Sequence, residues 1–171
     1  MQKKLVEMLR EHAVKHGEFI LASGKKSTYY IDVKQAYTRP EVLKEIAVEM
    51  ASVVDKKGVD RIAGVALGAV PLAAALSLEI GLPFIIIRKK EKGYGTGKLI
   101  EGELRPGERV VLVEDVTTTG GSALRAVKVI HEAGGECDKV ITVVDRGEGA
   151  GELMEREGVA LHSLVKVEEL V

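Results

Sequence analysis

The sequence predicts an α/β fold, with a central, mainly parallel sheet flanked by helices and a small N-terminal helix and strand hood. Three observations carry that prediction. Residues 61–66, 84–87, 110–113 and 140–144 are short, mainly apolar runs of strand length, with valine richest at 110–113, as expected for strands buried on both faces. Apolar-periodic stretches of helical length lie between several of them, so strand and helix alternate as parallel βαβ units require. Residues 1–38 break this alternation and are read as the hood.

Taken in order, residues 1–17 read as an amphipathic helix with Leu5, Leu9 and His12-Ala13 at helical spacing. Phe19-Ile20-Leu21 and residues 29–33 read as strands either side of the turn Ser23-Gly24-Lys25-Lys26-Ser27. Pro40, favoured in a first helical turn, opens a helix through Val42, Leu43, Ile46, Ala47 and Met50 to a stop at Lys56-Lys57-Gly58. Strand 61–66, helix 71–79 and strand 84–87 follow, then a long polar loop. Strand 109–113 leads to helix 121–133, which sets Leu124, Val127 and Ile130 on one face and ends at Gly134-Gly135. Strand 140–144 comes next, and residues 151–171 read as a short helix and an edge strand, with no function assigned to them.

The whole chain bounds the function. Its 171 residues suit one domain, 1–171, with a real core. A net charge of -1 offers no excess of cations to drive counterion release, which argues against a general nucleic-acid binder. Cys137 is the only cysteine, so no internal disulfide is possible; it reads as a small residue in a loop before a strand. The amino terminus lacks an apolar core of signal-peptide length, and residues 62–87 are broken by glycines, Pro71, Glu79 and Pro83, so no membrane span is expected and the cytoplasm is the expected location.

Chemistry concentrates after the strand at 109–113, in Glu114-Asp115-Val116-Thr117-Thr118-Thr119-Gly120-Gly121-Ser122. Open N–H groups and the positive dipole end at the following helix start favour a phosphate. Gly120 and Gly121 let the backbone approach, and the hydroxyls of Thr117, Thr118, Thr119 and Ser122 add donors. Glu114 and Asp115 would repel that phosphate and suit hydroxyls or a metal instead. A phosphate at one end with vicinal hydroxyls nearby describes a ribose 5-phosphate.

Three further loops belong to the same strand ends. The run Arg88-Lys89-Lys90-Glu91-Lys92-Gly93-Tyr94-Gly95-Thr96-Gly97-Lys98 carries five cations and three glycines in a loop of roughly 20 residues, which suits a cationic lid over a departing polyphosphate. Gly64-Val65-Ala66-Leu67-Gly68-Ala69-Val70-Pro71 is a second strand-to-helix turn whose N–H groups could hold a pyrophosphate. In Asp145-Arg146-Gly147, the arginine fork can clamp a carboxylate or a planar acceptor pair, or serve in a surface ion pair. Other matches fail. Gly93-Tyr94-Gly95-Thr96-Gly97 has the wrong dinucleotide-loop spacing, and His12 and His16, four apart on the expected first helix, lack a further zinc ligand.

The segment 114–122 resembles the binding signature of type I phosphoribosyltransferases. With Gly17-Glu18-Phe19, Ser23-Gly24-Lys25-Lys26-Ser27, the lid run and Asp145-Arg146, the chain is similar over most of its length to the orotate phosphoribosyltransferases. That resemblance implies a hood, 1–38, contributing to the base site. It implies 5-phosphoribosyl 1-diphosphate (PRPP) on Arg88, Lys89, Lys92, Tyr94, Glu114, Asp115, Val116, Thr117, Thr118, Thr119, Gly120, Gly121 and Ser122. Orotate would lie on Thr118 and Arg146, with Arg146 facing its carboxylate, and Lys92, Asp115 and Glu114 would be catalytic. Magnesium (Mg2+) would be held mainly through PRPP, with no direct protein ligand, and a homodimer would share lid residues between subunits. Many members carry lysine where Ala22 stands, some at the position of Gly68, and histidine is common at Tyr94. A purine-base phosphoribosyltransferase and a non-catalytic PRPP-sensing regulator are the alternatives; Arg146 argues against the first, the lid and the absence of a dense basic face against the second.

Overall fold

The computed structural model describes residues 2–21, 24–90 and 98–171. Its main sheet has six strands in the order β5 (Ile100–Glu101), β4 (Phe84–Ile87), β3 (Arg61–Val65), β6 (Arg109–Thr117), β7 (Glu136–Asp145) and β8 (Ala160–Lys166). All neighbours are parallel except β4 and β5, which pair antiparallel. The hood comprises α1 (Gln2–His12), an antiparallel hairpin of β1 (Val14–Ile20) and β2 (Lys26–Ile31), and α2 (Val33–Tyr37). Helices α3 (Pro40–Ser52), α4 (Val70–Ile80), α5 (Gly121–Glu132) and α6 (Ala150–Arg156) complete the layers. The α/β class, the mainly parallel sheet and the edge position of the last strand agree with the sequence-based expectation.

Strand alternation divides the core between two faces. Ile62, Val111, Val113, Ile141 and Val143 pack under the hood, α3 and α4, where Leu5, Leu9, Ile46, Met50, Leu72 and Leu76 are fully or almost fully buried. Ala63, Val65, Ile85, Ile87, Val110, Leu112 and Val140 turn to the other face, closed by Ala126, Val127 and Ile130 of α5 and Met154 of α6. Helix α4 lies close over β3 because position 64 has no side chain: a Cβ there would fall 2.7 Å from the Ala69 carbonyl oxygen and 2.8 Å from the Ala73 Cβ. Among the described residues, no helix is long and apolar enough to cross a membrane.

Several boundaries differ from expectation. Helix α1 ends at His12, and β1 begins at Val14, paired with Ile31, so His12 and His16 do not share a helix. The Asp32 N–H donates to the Ala13 carbonyl at 2.8 Å, which draws the chain into the hairpin early. Helix α2, with Asp32 as N-cap accepting from the Gln35 N–H, is too short for periodicity to reveal. Cys137 is buried inside β7 rather than in a loop before it. Strand β5 divides the long polar loop, and the Arg88 N–H donates to the Leu99 carbonyl at 2.7 Å, so both ends of the 88–99 segment are tied to one sheet edge.

Candidate active site

Strand β6 continues four residues past its expected end at Val113, so Glu114, Asp115, Val116 and Thr117 are strand residues rather than loop. Glu114 aligns with Thr142, Val116 with Val144 and Thr117 with Asp145 of β7. Alternation then separates the two acids. Glu114 is buried, whereas Asp115 borders a cleft of about 620 Å³ at the carboxyl edge of the sheet. Lys89, Asp115, Val116, Thr118, Thr119 and Arg146 line one side of it, and Leu21, Tyr30, Ile31 and Lys34 of the hood form the other. Six predicted residues therefore converge on one space.

The predicted anion cradle is the tip of α5. Gly120 adopts the left-handed conformation, with φ 85°, as its N-cap, and a Cβ there would also crowd the Ala150 Cα at 3.1 Å. No side chain caps the helix and no acidic residue sits in its first turn. The helix ladder begins with the Leu124 N–H donating to the Gly120 carbonyl, and Thr119, Gly121 and Ser122 are exposed. An uncapped, positive helix end with hydroxyls beside it favours a phosphate. Thr117 departs from expectation. Its side chain is buried and donates to Asp145 Oδ1 at 2.9 Å, so the hydroxyl braces β6 against β7 instead of facing the cradle.

The acids differ electrostatically as well. Burial first, and then the charge of Asp115, push Glu114 up to about 8, against the pull of Lys89 and Lys34. Asp115 Oδ2 instead accepts from Lys34 Nζ at 3.3 Å. Burial opposes the charge on Lys34, but Asp115 outweighs it through attraction and hydrogen bonding, so the ammonium titrates above its ordinary range. The Tyr37 hydroxyl donates to the Gly68 carbonyl at 2.8 Å, and burial, with Asp115 and Asp32 nearby, raises it to about 12.

Arg146 stands just past β7. Its N–H donates to the Thr117 carbonyl at 2.9 Å, its Nε donates to Glu148 Oε1 at 3.1 Å, and its guanidinium lies 5.4 Å from the centre of the Tyr29 ring. With 8% of its side chain exposed, this cation is oriented and largely withdrawn from water at the cleft wall. Arg88 meets Glu101 at 3.4 Å and, like Lys90, lies outside the residues that border the cleft. The Arg125 guanidinium donates to the Lys89 carbonyl, joining α5 to the segment that follows β4. In the second turn, the N–H groups of Ala66, Ala69 and Val70 donate to the carbonyls of Ile87, Val65 and Leu67, leaving that turn fewer anion donors than its sequence suggests. Lys92 and Tyr94, with Ala22 and Ser23, lie outside the described residues.

The resemblance implies a hood that contributes to the base site, but it names none of the hood residues that stand in this wall. Lys34 and Tyr30 belong to no local motif, because they reach the cleft only when the hood folds over β6; their sole signal is their place beside Asp32, a residue type suited to capping.

An uncapped helix tip, an acidic strand end and an oriented arginine around one cleft of a mainly parallel sheet define a phosphoribosyl transferase domain, and the family model so described matches residues 32–159. The orotate phosphoribosyltransferase of Pyrococcus furiosus is 52% identical over 99% of this chain and 95% of its own length. That of Methanocaldococcus jannaschii is 54% identical over 99% of this chain and 96% of its own. A crystal structure of Mycobacterium tuberculosis orotate phosphoribosyltransferase in complex with 5-phospho-alpha-D-ribosyl 1-diphosphate superposes with a TM-score of 0.84 at 34% identity, covering 99% of this chain and 98% of that one. The chain belongs to the orotate phosphoribosyltransferase family.

Proposed function

We propose that the chain transfers the phosphoribosyl group of PRPP to orotate, giving orotidine 5'-monophosphate and pyrophosphate. The observation that carries this reading is the single cleft in which Asp115, Thr118 and Thr119 face the same space as Arg146. The 5-phosphate rests on the tip of α5, against Thr118, Thr119, Gly120, Gly121 and Ser122. Asp115, with Glu114 behind it, addresses the ribose hydroxyls. Orotate lies toward Thr118 and Arg146, where its carboxylate meets a guanidinium already stripped of most of its water, so little ordering remains to be done on binding.

As the bond from the anomeric carbon to the diphosphate stretches, its electron pair leaves with pyrophosphate, and a ring nitrogen of orotate, whose proton passes to the released pyrophosphate, supplies the pair for the new bond. Positive charge grows on the sugar near Asp115 and negative charge on the leaving group near Arg88, Lys89, Lys92 and Tyr94. Lys92 acts mostly in the transition state. Magnesium would be held mainly through PRPP, because Asp115, the acid that borders the cleft, is engaged by Lys34. Bound there, it would supply charge neutralisation to the leaving group.

The enzyme works in the cytoplasm as a homodimer in which lid residues are shared. Helix α4 supports the dimer, for Leu67 at its approach and Leu78 on it are 76% and 89% exposed, an apolar cost to be met by a second copy. A pyrophosphate-release assay with a panel of bases tests the reaction. Orotate should be the acceptor, and Arg146→Ala should lower kcat/KM for orotate at least ~100-fold by removing a charge-assisted clamp. Turnover of adenine or hypoxanthine in place of orotate would refute the assignment.

A further inference from the structure

No sequence motif marks Lys34, yet it stands in the cleft wall. Its place is fixed by the docking of α2. The Asp32 N–H donates to the Ala13 carbonyl, and the Asp32 carboxylate accepts from the Gln35 N–H at 3.1 Å, which starts the helix. Val33, Ala36 and Tyr37 are buried, and the Tyr37 hydroxyl is tied to the Gly68 carbonyl at 2.8 Å. Lys34 then reaches Asp115 with 3.3 Å between Nζ and Oδ2. The turn after β3 places no side chain of its own here, because it carries Gly68, whose Cβ position lies 2.8 Å from the Asp115 Cγ. The space beside Asp115 is filled from another element.

An ammonium has three donors, and Asp115 accepts one of them. The Lys34 side chain is 52% exposed and that of Asp115 14%, so the carboxylate is largely covered while the cation still faces the cleft. Asp115 alone would repel a diphosphate entering beside the ribose hydroxyls it addresses. A lysine held against it cancels that repulsion and carries donors to spare.

Resting on the PRPP reading of the cleft, we propose that Lys34 is a bridging cation. It holds Asp115 in place for the pentose and turns its remaining N–H donors onto the diphosphate, so one ion pair grips both sides of the bond that breaks.

Steady-state kinetics and calorimetric titration with PRPP test this on the full chain. Lys34→Met should raise the KM and Kd for PRPP by ~10-fold or more while the KM for orotate stays within ~2-fold, and Lys34→Arg should restore most of the loss. Thermal midpoints confirm folding; should the methionine variant not fold, Lys34→Gln takes the same measurements. Wild-type affinity for PRPP in the folded variant, an equal loss toward both substrates, or no rescue by arginine would each overturn the role. A wild-type chain that binds PRPP but does not turn over orotate would refute the acceptor assignment instead, and the calorimetry would still decide on Lys34.

Discussion

Glu114 and Asp115 are adjacent in sequence and far apart in environment. With Glu114 raised from 4.5 to about 8 mainly by burial, the folded chain binds more protons at this site than the unfolded chain across that interval. Its contribution to stability is therefore full below 4.5 and falls as pH rises toward 8. Glu114→Gln should flatten the decline in Tm over that window, measured by calorimetry in a pH series. Parallel curves for the two proteins would show that the buried carboxyl does not titrate as its surroundings demand. The sequence marks both acids as site residues but cannot separate their roles, because the separation comes from strand alternation continuing beyond Val113. Thr117 follows the same logic: it reads as one of three equivalent hydroxyls until the pleat turns it toward Asp145.

At the scale of elements, legibility follows length and pattern. Strand β4 and the first half of β6 are evident because near-continuous valine, isoleucine and leucine have few other uses, and α5 is evident from Leu124, Val127 and Ile130. The second half of β6 is hidden by its polarity, since a strand emerging from the core into a ligand cleft carries acids and threonines where its buried part carries valine. Helix α2 and strand β5 are too short to show a period, and both are defined by partners distant in sequence. Contacts also explain Gly64, where the Ala69 carbonyl and Ala73 Cβ leave no room for a methyl group. Gly64→Ala should force α4 and β3 apart and cost roughly 1–3 kcal/mol, read as a lower urea midpoint. An unchanged midpoint would mean that the helix can shift freely over the strand.

At the scale of the whole molecule, the hood and the parallel sheet meet in one cleft, and the proposed dimer makes a further demand on it. If Lys92 serves the partner's site while Arg146 serves its own, mixed dimers of Lys92→Ala and Arg146→Ala chains contain one site with both residues intact. Mixing the two inactive variants should restore up to about a quarter of wild-type activity, because half of randomly assorted symmetric dimers are hybrids and each has one good site of two. No recovery after confirmed subunit exchange would place Lys92 over its own subunit. The bond between Thr117 and Asp145 has a last consequence. It laces together the ends of two neighbouring strands, one leading into the proposed seat of the sugar and the other into that proposed for the acceptor. Adjacent strands run about 4.8 Å apart, so under that proposal the gap over which the reactants meet is set by the spacing of the sheet itself.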